Sequence, residues 1–566
     1  MTYYDTLISR CREKIACAIT QALESACAAG AIELAEPPAF VVESPREASH
    51  GDFATNAALL CAKAARQNPR AVAEAIAAHF DALSAGVEEI SIAGPGFINF
   101  RMPALWPAGL LAKILAAGDK YGSSTAGAYA KVQVEFVSAN PTGELHMGNA
   151  RGAAIGDSLA NLLTMAGFAC QREYYINDAG SQIEKFGLSL EARYLQALGQ
   201  DIPFPEDGYH GEDLPLLAAK LIEEIGDAFL MLEPKLRQER LSHYALQRKL
   251  ADIRSALAAF GVHYDCWFSE QSLHDSGAVQ EVLEELQRKG YLIEKEGALW
   301  LDGAGLGVEK PEVLVRGNGL PTYYAADIAY HKNKFERGFT TVIDVWGADH
   351  HGHVARMQGA MEALGYQRAQ LEVILMQFVR LLQGGELLKM SKRTGQYVTL
   401  NELVEEVGRD AARFIFVMRS ADNLIDFDLD LAKEQSMKNP VYYVQYAHAR
   451  FCSIMAAAAT EGIALPATPL TEQQLAVLNH ESELALIRRL ADFPDEVITA
   501  AMEREPHRIA VYLQEVASLF HNFYDKCRVL SEDKALTMAR LSLAAATATV
   551  IKNGLNALGV TAPHKM

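Results

Sequence analysis

Two short stretches combine residue types suited to gripping phosphate. His146-Met147-Gly148-Asn149 offers an imidazole and an amide around a glycine, where a nucleotide can approach the backbone closely. Far downstream, Lys389-Met390-Ser391-Lys392 offers two ammonium groups and a hydroxyl within four residues. Reactions at a phosphorus centre ask little covalent chemistry of a protein. They ask for positioning and for stabilisation of developing negative charge. A histidine and an asparagine at a helix start can donate to phosphate oxygens, and a lysine-rich loop can clamp a departing polyphosphate. Either stretch alone reads equally well as something plainer, a loop histidine with an asparagine cap or a solvated basic turn.

The elements around them favour the phosphate reading. Residues 131–137 form a β-branched run, as expected of a buried parallel strand. A loop with Pro141 and Gly143 follows, then a helix with Ile155, Leu159, Leu162 and Leu163 on one face, closed by Gly167. Residues 168–176 read as a second strand. This strand–loop–helix–strand order opens a Rossmann-type parallel sheet, and it puts His146 at a helix N-terminus, where the macrodipole is positive. Further strands and helices are expected at 313–315, 322–335, 341–346 and 373–376. A hairpin, 378–383 and 386–388 about Gly384-Gly385, leads into the second stretch. The expected fold class is α/β: a Rossmann-type catalytic domain at 119–430 with an insertion at about 190–300, an α+β N-terminal module at 1–118 and an all-helical domain at 431–566. Residues 119–130 read as a linker. Within the insertion, Ser276 is expected to cap a helix burying Val279, Val282, Leu283 and Leu286. In the last domain Ile509, Leu513, Val516 and Phe520 line one helical face.

Size and composition fit this plan. The 566 residues exceed one core, and 50% hydrophobic with 22% charged residues describes a globular chain. No apolar run approaches the roughly 20 residues of a membrane span. Arg10, Arg12, Glu13, Lys14 and Glu24 interrupt any apolar leader, so a cytoplasmic protein is expected. Eight cysteines occur with no C-x-x-C pair, which argues against structural zinc. A net charge of −19 argues against nucleic acid when read alone, although a large acidic protein can carry a local basic groove.

Longer stretches carry a resemblance. The run from Val134 to His146, with Glu135, Ser138, Asn140, Pro141 and Gly143, resembles bacterial arginyl-tRNA synthetases. So do Tyr174-Tyr175-Ile176-Asn177-Asp178-Ala179-Gly180, the run from Tyr323 to His331, and the run from Val441 to Arg450. His50-Gly51-Asp52-Phe53 extends the likeness into the N-terminal module, so that it covers nearly the whole chain. The two phosphate stretches are similar to the ATP loops of class I aminoacyl-tRNA synthetases in general. Asn149 departs from the histidine more usual there, which removes one group able to carry positive charge.

The resemblance implies a ligase that charges tRNA(Arg) with arginine through an arginyl adenylate, releasing AMP and pyrophosphate. ATP is then a substrate accompanied by Mg2+, with no dedicated metal site. His146, Asn149, Lys389 and Lys392 are implied to be catalytic, and Gly148, Met390 and Ser391 to complete the ATP site. Glu135, Asn140, Tyr323, Asp327 and Asp349 are implied to bind arginine, whose planar guanidinium favours bidentate carboxylates and aromatic stacking. Glu135 has the added weight that a carboxylate in an apolar strand is costly to bury without a partner. Asp349 reads equally well as an ordinary strand-end aspartate, and Asn177 and Asp178 as residues that shape a turn. The N-terminal module is implied to read the tRNA elbow and the C-terminal helices the anticodon, with Tyr442 and Tyr446 able to stack on bases and Arg450 able to meet phosphate. Lys433, Lys438, Arg488, Arg489, Arg504 and Arg508 are further cationic candidates on that side. A monomer without a membrane partner is implied. Two alternatives stay open: another class I synthetase, and an inactive tRNA-binding relative.

Overall fold

The computed structural model describes residues 4–45, 47–211, 213–303, 306–307, 311–388 and 398–566. Lys389, Met390, Ser391 and Lys392 lie outside them. At the centre is a five-stranded sheet in the order Leu371–Met376, Thr341–Gly347, Lys131–Phe136, Ala169–Ile176, Cys266–Ser269, with every neighbouring pair parallel. Val132, Val134 and Phe136 are buried, and so are Gln133 and Glu135 between them. The central strand is therefore covered on both faces, as a parallel sheet requires. Helix Met147–Met165 packs across it at Gly156, where a β-carbon would stand 2.2 Å from Phe136 Cγ. Residues 119–130, expected as a linker, are docked instead: the N–H groups of Ser124, Gly127 and Tyr129 donate to Met165, Ala166 and Gly167 carbonyls at that helix's end. The Gly/Ser-rich run satisfies carbonyls that a helix end leaves without partners.

The stretch 190–300 is not one insertion, because the edge strand Cys266–Ser269 divides it. Helices Ser181–Ala197, Asp213–Ile225 and Pro234–Ala259 precede that strand and pack around Phe186, Leu190, Tyr194, Leu214 and Leu241. Helix Ala278–Arg288 and an antiparallel sheet of Leu292–Lys295, Ala298–Leu301 and Glu312–Val315 follow it. That helix buries Val279, Val282, Leu283 and Leu286 as its spacing predicts, but Gly277 holds the N-cap position. Ser276 instead donates its hydroxyl to Ser272 O, finishing the short helix before it.

The two ends of the chain meet. Helix Leu7–Ala28 lies against an antiparallel sheet of Val42–Glu43, Phe53–Thr55, Phe97–Arg101 and Glu89–Ala93. Gly51, at φ 86°, lets the backbone pass Phe100 O, which a β-carbon would meet at 2.6 Å. Asp52 then accepts from Met102 N–H at 2.8 Å and from Arg488 Nε at 2.7 Å. Arg488 belongs to Glu481–Ala491, one of the C-terminal helices with Pro440–Thr460, Phe493–Met502, His507–Lys526 and Lys534–Ala557. Asp495 likewise accepts from Thr6, Ser9 and Arg12. Ile509, Leu513, Val516 and Phe520 are fully buried among these helices.

Candidate active site

The loop after the central strand begins in strained backbone. Val137 and Ser138 take φ values of 71° and 37°, a region costly for any residue with a β-carbon. Hydrogen bonds hold Ser138 there: its hydroxyl donates to Glu135 Oε1 at 2.8 Å and accepts from Tyr175 N–H at 3.0 Å, and its carbonyl accepts from Asn177 Nδ2 at 3.2 Å. The loop ends at His146, the N-cap of Met147–Met165. His146 Nδ1 accepts from Gly148 N–H at 3.1 Å, and Asn149 Oδ1 accepts from His146 N–H at 3.0 Å. This reciprocal cap assigns the roles of both side chains. With Nδ1 an acceptor, the ring proton of the neutral imidazole sits on Nε2. With Oδ1 committed, the amide of Asn149 keeps its N–H donors for another group. Packing of the surrounding loops desolvates the ring and holds the His146 pKa below the usual histidine value, favouring the neutral form although part of the residue is exposed.

Residues 398–400 close on this loop. Met147 N–H donates to Val398 O at 3.3 Å and Leu400 N–H to Leu145 O at 2.7 Å, with a bridge between His146 and Thr399. Thr399 caps its own helix, Leu400–Val407, through a reciprocal pair with Glu402. The chain from Val398 to Leu400 therefore lies beside the first phosphate loop.

Acidic side chains cluster at the carboxyl end of the neighbouring strand. Burial of the Tyr175 phenol, with Glu270, Asp327, Glu135 and Asp178 around it, raises its pKa. These four carboxylates are held differently. Glu135 Oε2 accepts from Lys334 Nζ at 2.6 Å, and the same ammonium donates to Asp344 Oδ1 at 2.8 Å. Burial alone would lower the Lys334 pKa, but Asp344 and Glu135 outweigh it and keep the ammonium charged. Burial alone would raise Asp344, yet Lys334 and His331 bring it down to about 2. His331 spans from Asp344 Oδ2 to Asp327 O, at 2.7 Å each. Asp178 accepts from Ser269 Oγ at 2.6 Å and from Gln271 N–H at 2.9 Å. Asp327 Oδ2 stands 3.3 Å from His353 Nε2. Glu270 is 3% exposed, and its Oε2 has no hydrogen-bond partner. Burial, reinforced by Asp327 and Asp178, pushes its pKa up to about 7. Tyr323, half exposed, lies against Gly180, where a β-carbon would come within 3.2 Å of its hydroxyl.

Three segments of the chain match families of known proteins: residues 12–102 the arginyl tRNA synthetase N terminal domain, 110–437 the class I (R) tRNA synthetase catalytic domain, and 444–566 the DALR anticodon binding domain. The chain is 58% identical over 557 residues to the arginine--tRNA ligase of Heliobacterium modesticaldum, covering 98% of this chain and 99% of that one. It is 58% identical over 560 residues to that of Moorella thermoacetica, covering 99% and 100%. The chain belongs to the arginyl-tRNA synthetase family. The Thermus thermophilus arginyl-tRNA synthetase, 24% identical and covering 98% of this chain and 100% of that one, shares the fold at a TM-score of 0.73.

Of the residues that the arginyl-tRNA synthetase resemblance implies for arginine, Glu135 and Asp327 both lie near Tyr175. Glu135 is not the unpartnered acid its strand position suggests, because Lys334 and Ser138 occupy both its oxygens. Asn140 is exposed on the loop. Asp349 is exposed in the turn Ala348–His350, with His350 Nε2 3.7 Å from its carboxylate. Asn177 and Asp178 do shape a turn, by the hydrogen bonds given above. Glu270, Tyr175 and Lys334 were missed. For Glu270 a signal existed: it directly follows a strand of the parallel sheet, at the end where ligands of such sheets bind.

The C-terminal helices carry a half-buried aromatic ladder. Tyr442 and Tyr446 stack with centroids 6.1 Å apart and planes at 9°. The Arg450 guanidinium lies 4.9 Å from the Tyr446 centroid and 4.6 Å from that of Tyr524, and its Nη1 meets His521 Nδ1 at 3.0 Å. The other cationic candidates are mostly committed. Lys433 pairs with Glu406, Arg488 with Asp52, Arg489 with Glu515, Arg504 with Glu372 and Arg508 with Glu496.

Proposed function

We propose that the chain joins arginine to tRNA(Arg), with the pocket around Tyr175 receiving the guanidinium and the His146 helix start receiving ATP. The observation that carries this reading is the pairing of an acidic cluster around Tyr175 with a capped, donor-presenting helix N-terminus at one end of the same sheet. Asp327 and Glu270 face the guanidinium, Tyr323 covers it, and Glu135 holds the pocket floor through Lys334. Asn140 and Asp349, both exposed at the rim, meet the amino-acid backbone or the ribose. His146 Nε2–H and the Asn149 amide donate to the ATP phosphates, with Gly148 giving them room. The arginine carboxylate attacks the α-phosphate; pyrophosphate leaves, and Lys389, Ser391 and Lys392, with Met390 between them, steady its charge. The terminal adenosine hydroxyl of tRNA then takes the arginyl group and AMP departs. Mg2+ enters with the triphosphate and offsets its charge. Rejection of neutral analogues follows from the pocket itself, because an unfilled acidic site leaves buried carboxylates unpaired.

In this reading residues 1–118 meet the tRNA elbow, 119–430 carry the chemistry, and 431–566 hold the anticodon on Tyr442, Tyr446 and Arg450. Base stacking on such a ladder contributes about 1–3 kcal/mol per base. The chain works as a monomer in the cytoplasm, as the resemblance implies. ATP–pyrophosphate exchange across the twenty amino acids, with and without tRNA(Arg), tests the whole. Exchange should appear with arginine alone among them. Its absence with arginine under both conditions would remove the reading.

A further inference from the structure

Resting on that reading of the pocket, we infer that Glu270 holds a proton while the pocket is empty and surrenders it to solvent when the guanidinium enters, so that arginine capture is an exchange of one cation for another. The geometry separates Glu270 from its three neighbours. Glu135 has an ammonium at 2.6 Å, Asp178 has two donors, and Asp327 has an imidazole at 3.3 Å. Glu270 has the Tyr175 phenol near it and an Oε2 without any partner, in a residue sealed from water. The groups that face it are Tyr175 from the strand Ala169–Ile176, Asp178 from the turn after it, and Asp327 from the helix Tyr323–Glu336. None of these is a cation. A carboxylate left ionised there would be buried, unpaired and beside two like charges, which is the arrangement that makes a carboxyl keep its proton. A rise to about 7 agrees with that geometry. A guanidinium supplies the missing positive charge and the missing donors at once, and the proton passes to the buffer.

Titration calorimetry of arginine into the full-length chain, with tRNA(Arg) absent and present, measures the exchange. Each titration is run at pH 6 and pH 8, in phosphate and in Tris, which take up protons with very different heats. The expected result is release of close to one proton per arginine at pH 6 and about a tenth of one at pH 8, with a Kd about tenfold weaker at pH 6. His353, 3.3 Å from Asp327, is the other proton-bearing side chain to be separated from Glu270. Glu270→Gln distinguishes the two: the variant should bind arginine more weakly at pH 8 and lose the proton release. Identical heats in the two buffers with one Kd at both pH values would overturn the proposal. So would proton release that persists in Glu270→Gln. The wild-type result stands even where the variant fails to bind. Absence of any arginine heat under all conditions would overturn the reading of the pocket itself, and the proposal with it.

Discussion

The phosphate loop and the acidic pocket open from the same sheet, yet they are built on opposite plans. At His146–Asn149 the side chains satisfy backbone N–H groups before any ligand arrives, through the paired cap bonds of 3.0 and 3.1 Å. Around Tyr175 four carboxyl groups are gathered, and one of them is left with an oxygen that has no hydrogen-bond partner. The first region is preorganised by being complete. The second is preorganised by lacking one thing, a cation with several donors. A self-satisfied site orients its ligand, whereas a site missing a charge selects it.

The sharpest way to break that comparison is to remove the cation already present. Lys334→Met leaves Glu135 and Asp344 buried without their partner, and unpairing a buried charge costs about 3–5 kcal/mol. Urea unfolding should show a loss of that size; a loss under 1 kcal/mol would mean the pocket floor is wetter than it looks. Next, Asp327→Ala should raise the KM for arginine by roughly 100-fold or more, in line with about 2–5 kcal/mol for losing one member of a buried charged pair. The KM for ATP should move little, and equal effects on both would erase the division of labour between the regions. Glu270→Gln should act on stability in the opposite sense. Between its ordinary value near 4.5 and about 7, the folded chain holds a proton there that the unfolded chain has released, so stability falls as pH rises through that window. The variant should then gain on the order of 1–3 kcal/mol over the wild type at pH 8 and little at pH 5, read as Tm in the absence of arginine. The smallest effect belongs to Asn149→Ala. Loss of one cap bond should cost about 0.5–1 kcal/mol of stability, with a fall in kcat for exchange larger than the fall in stability can explain. A kcat unchanged at saturating ATP would make Asn149 a cap and nothing more.

The two regions were also unequally legible. The first loop announces itself because its residues are contiguous, and because a strand before and a helix after are readable from apolar periodicity. The same holds for Ile509, Leu513, Val516 and Phe520, whose spacing on one helix decides their burial. The pocket is assembled from residues 135, 175, 178, 270, 327 and 334, and no local pattern joins them. Glu135 and Asp327 were reached through family resemblance. Lys334 was invisible because a lysine in His331-Lys332-Asn333-Lys334 looks like any solvent-facing one. Glu270 was hidden by the strand before it: Cys266–Ser269 is only four residues long and sits amid helical sequence, so the whole stretch passed for one insertion. The cap at Ser276 failed for a local reason, since a serine two residues ahead of a helix can as well finish the preceding one.

The clasp between Asp52 and Arg488 has a bearing on how the molecule is made. Its partners are 436 residues apart along the chain, and those of the Thr6–Asp495 contact 489. At about 5–20 residues per second, a ribosome completes the far half of the Asp52 clasp roughly 20–90 s after the near half. For that interval the first module must stand on its own sheet and helix, with a buried acid waiting for its arginine. The nascent amino end thus goes without this ion pair until the helix that carries Arg488 has been made.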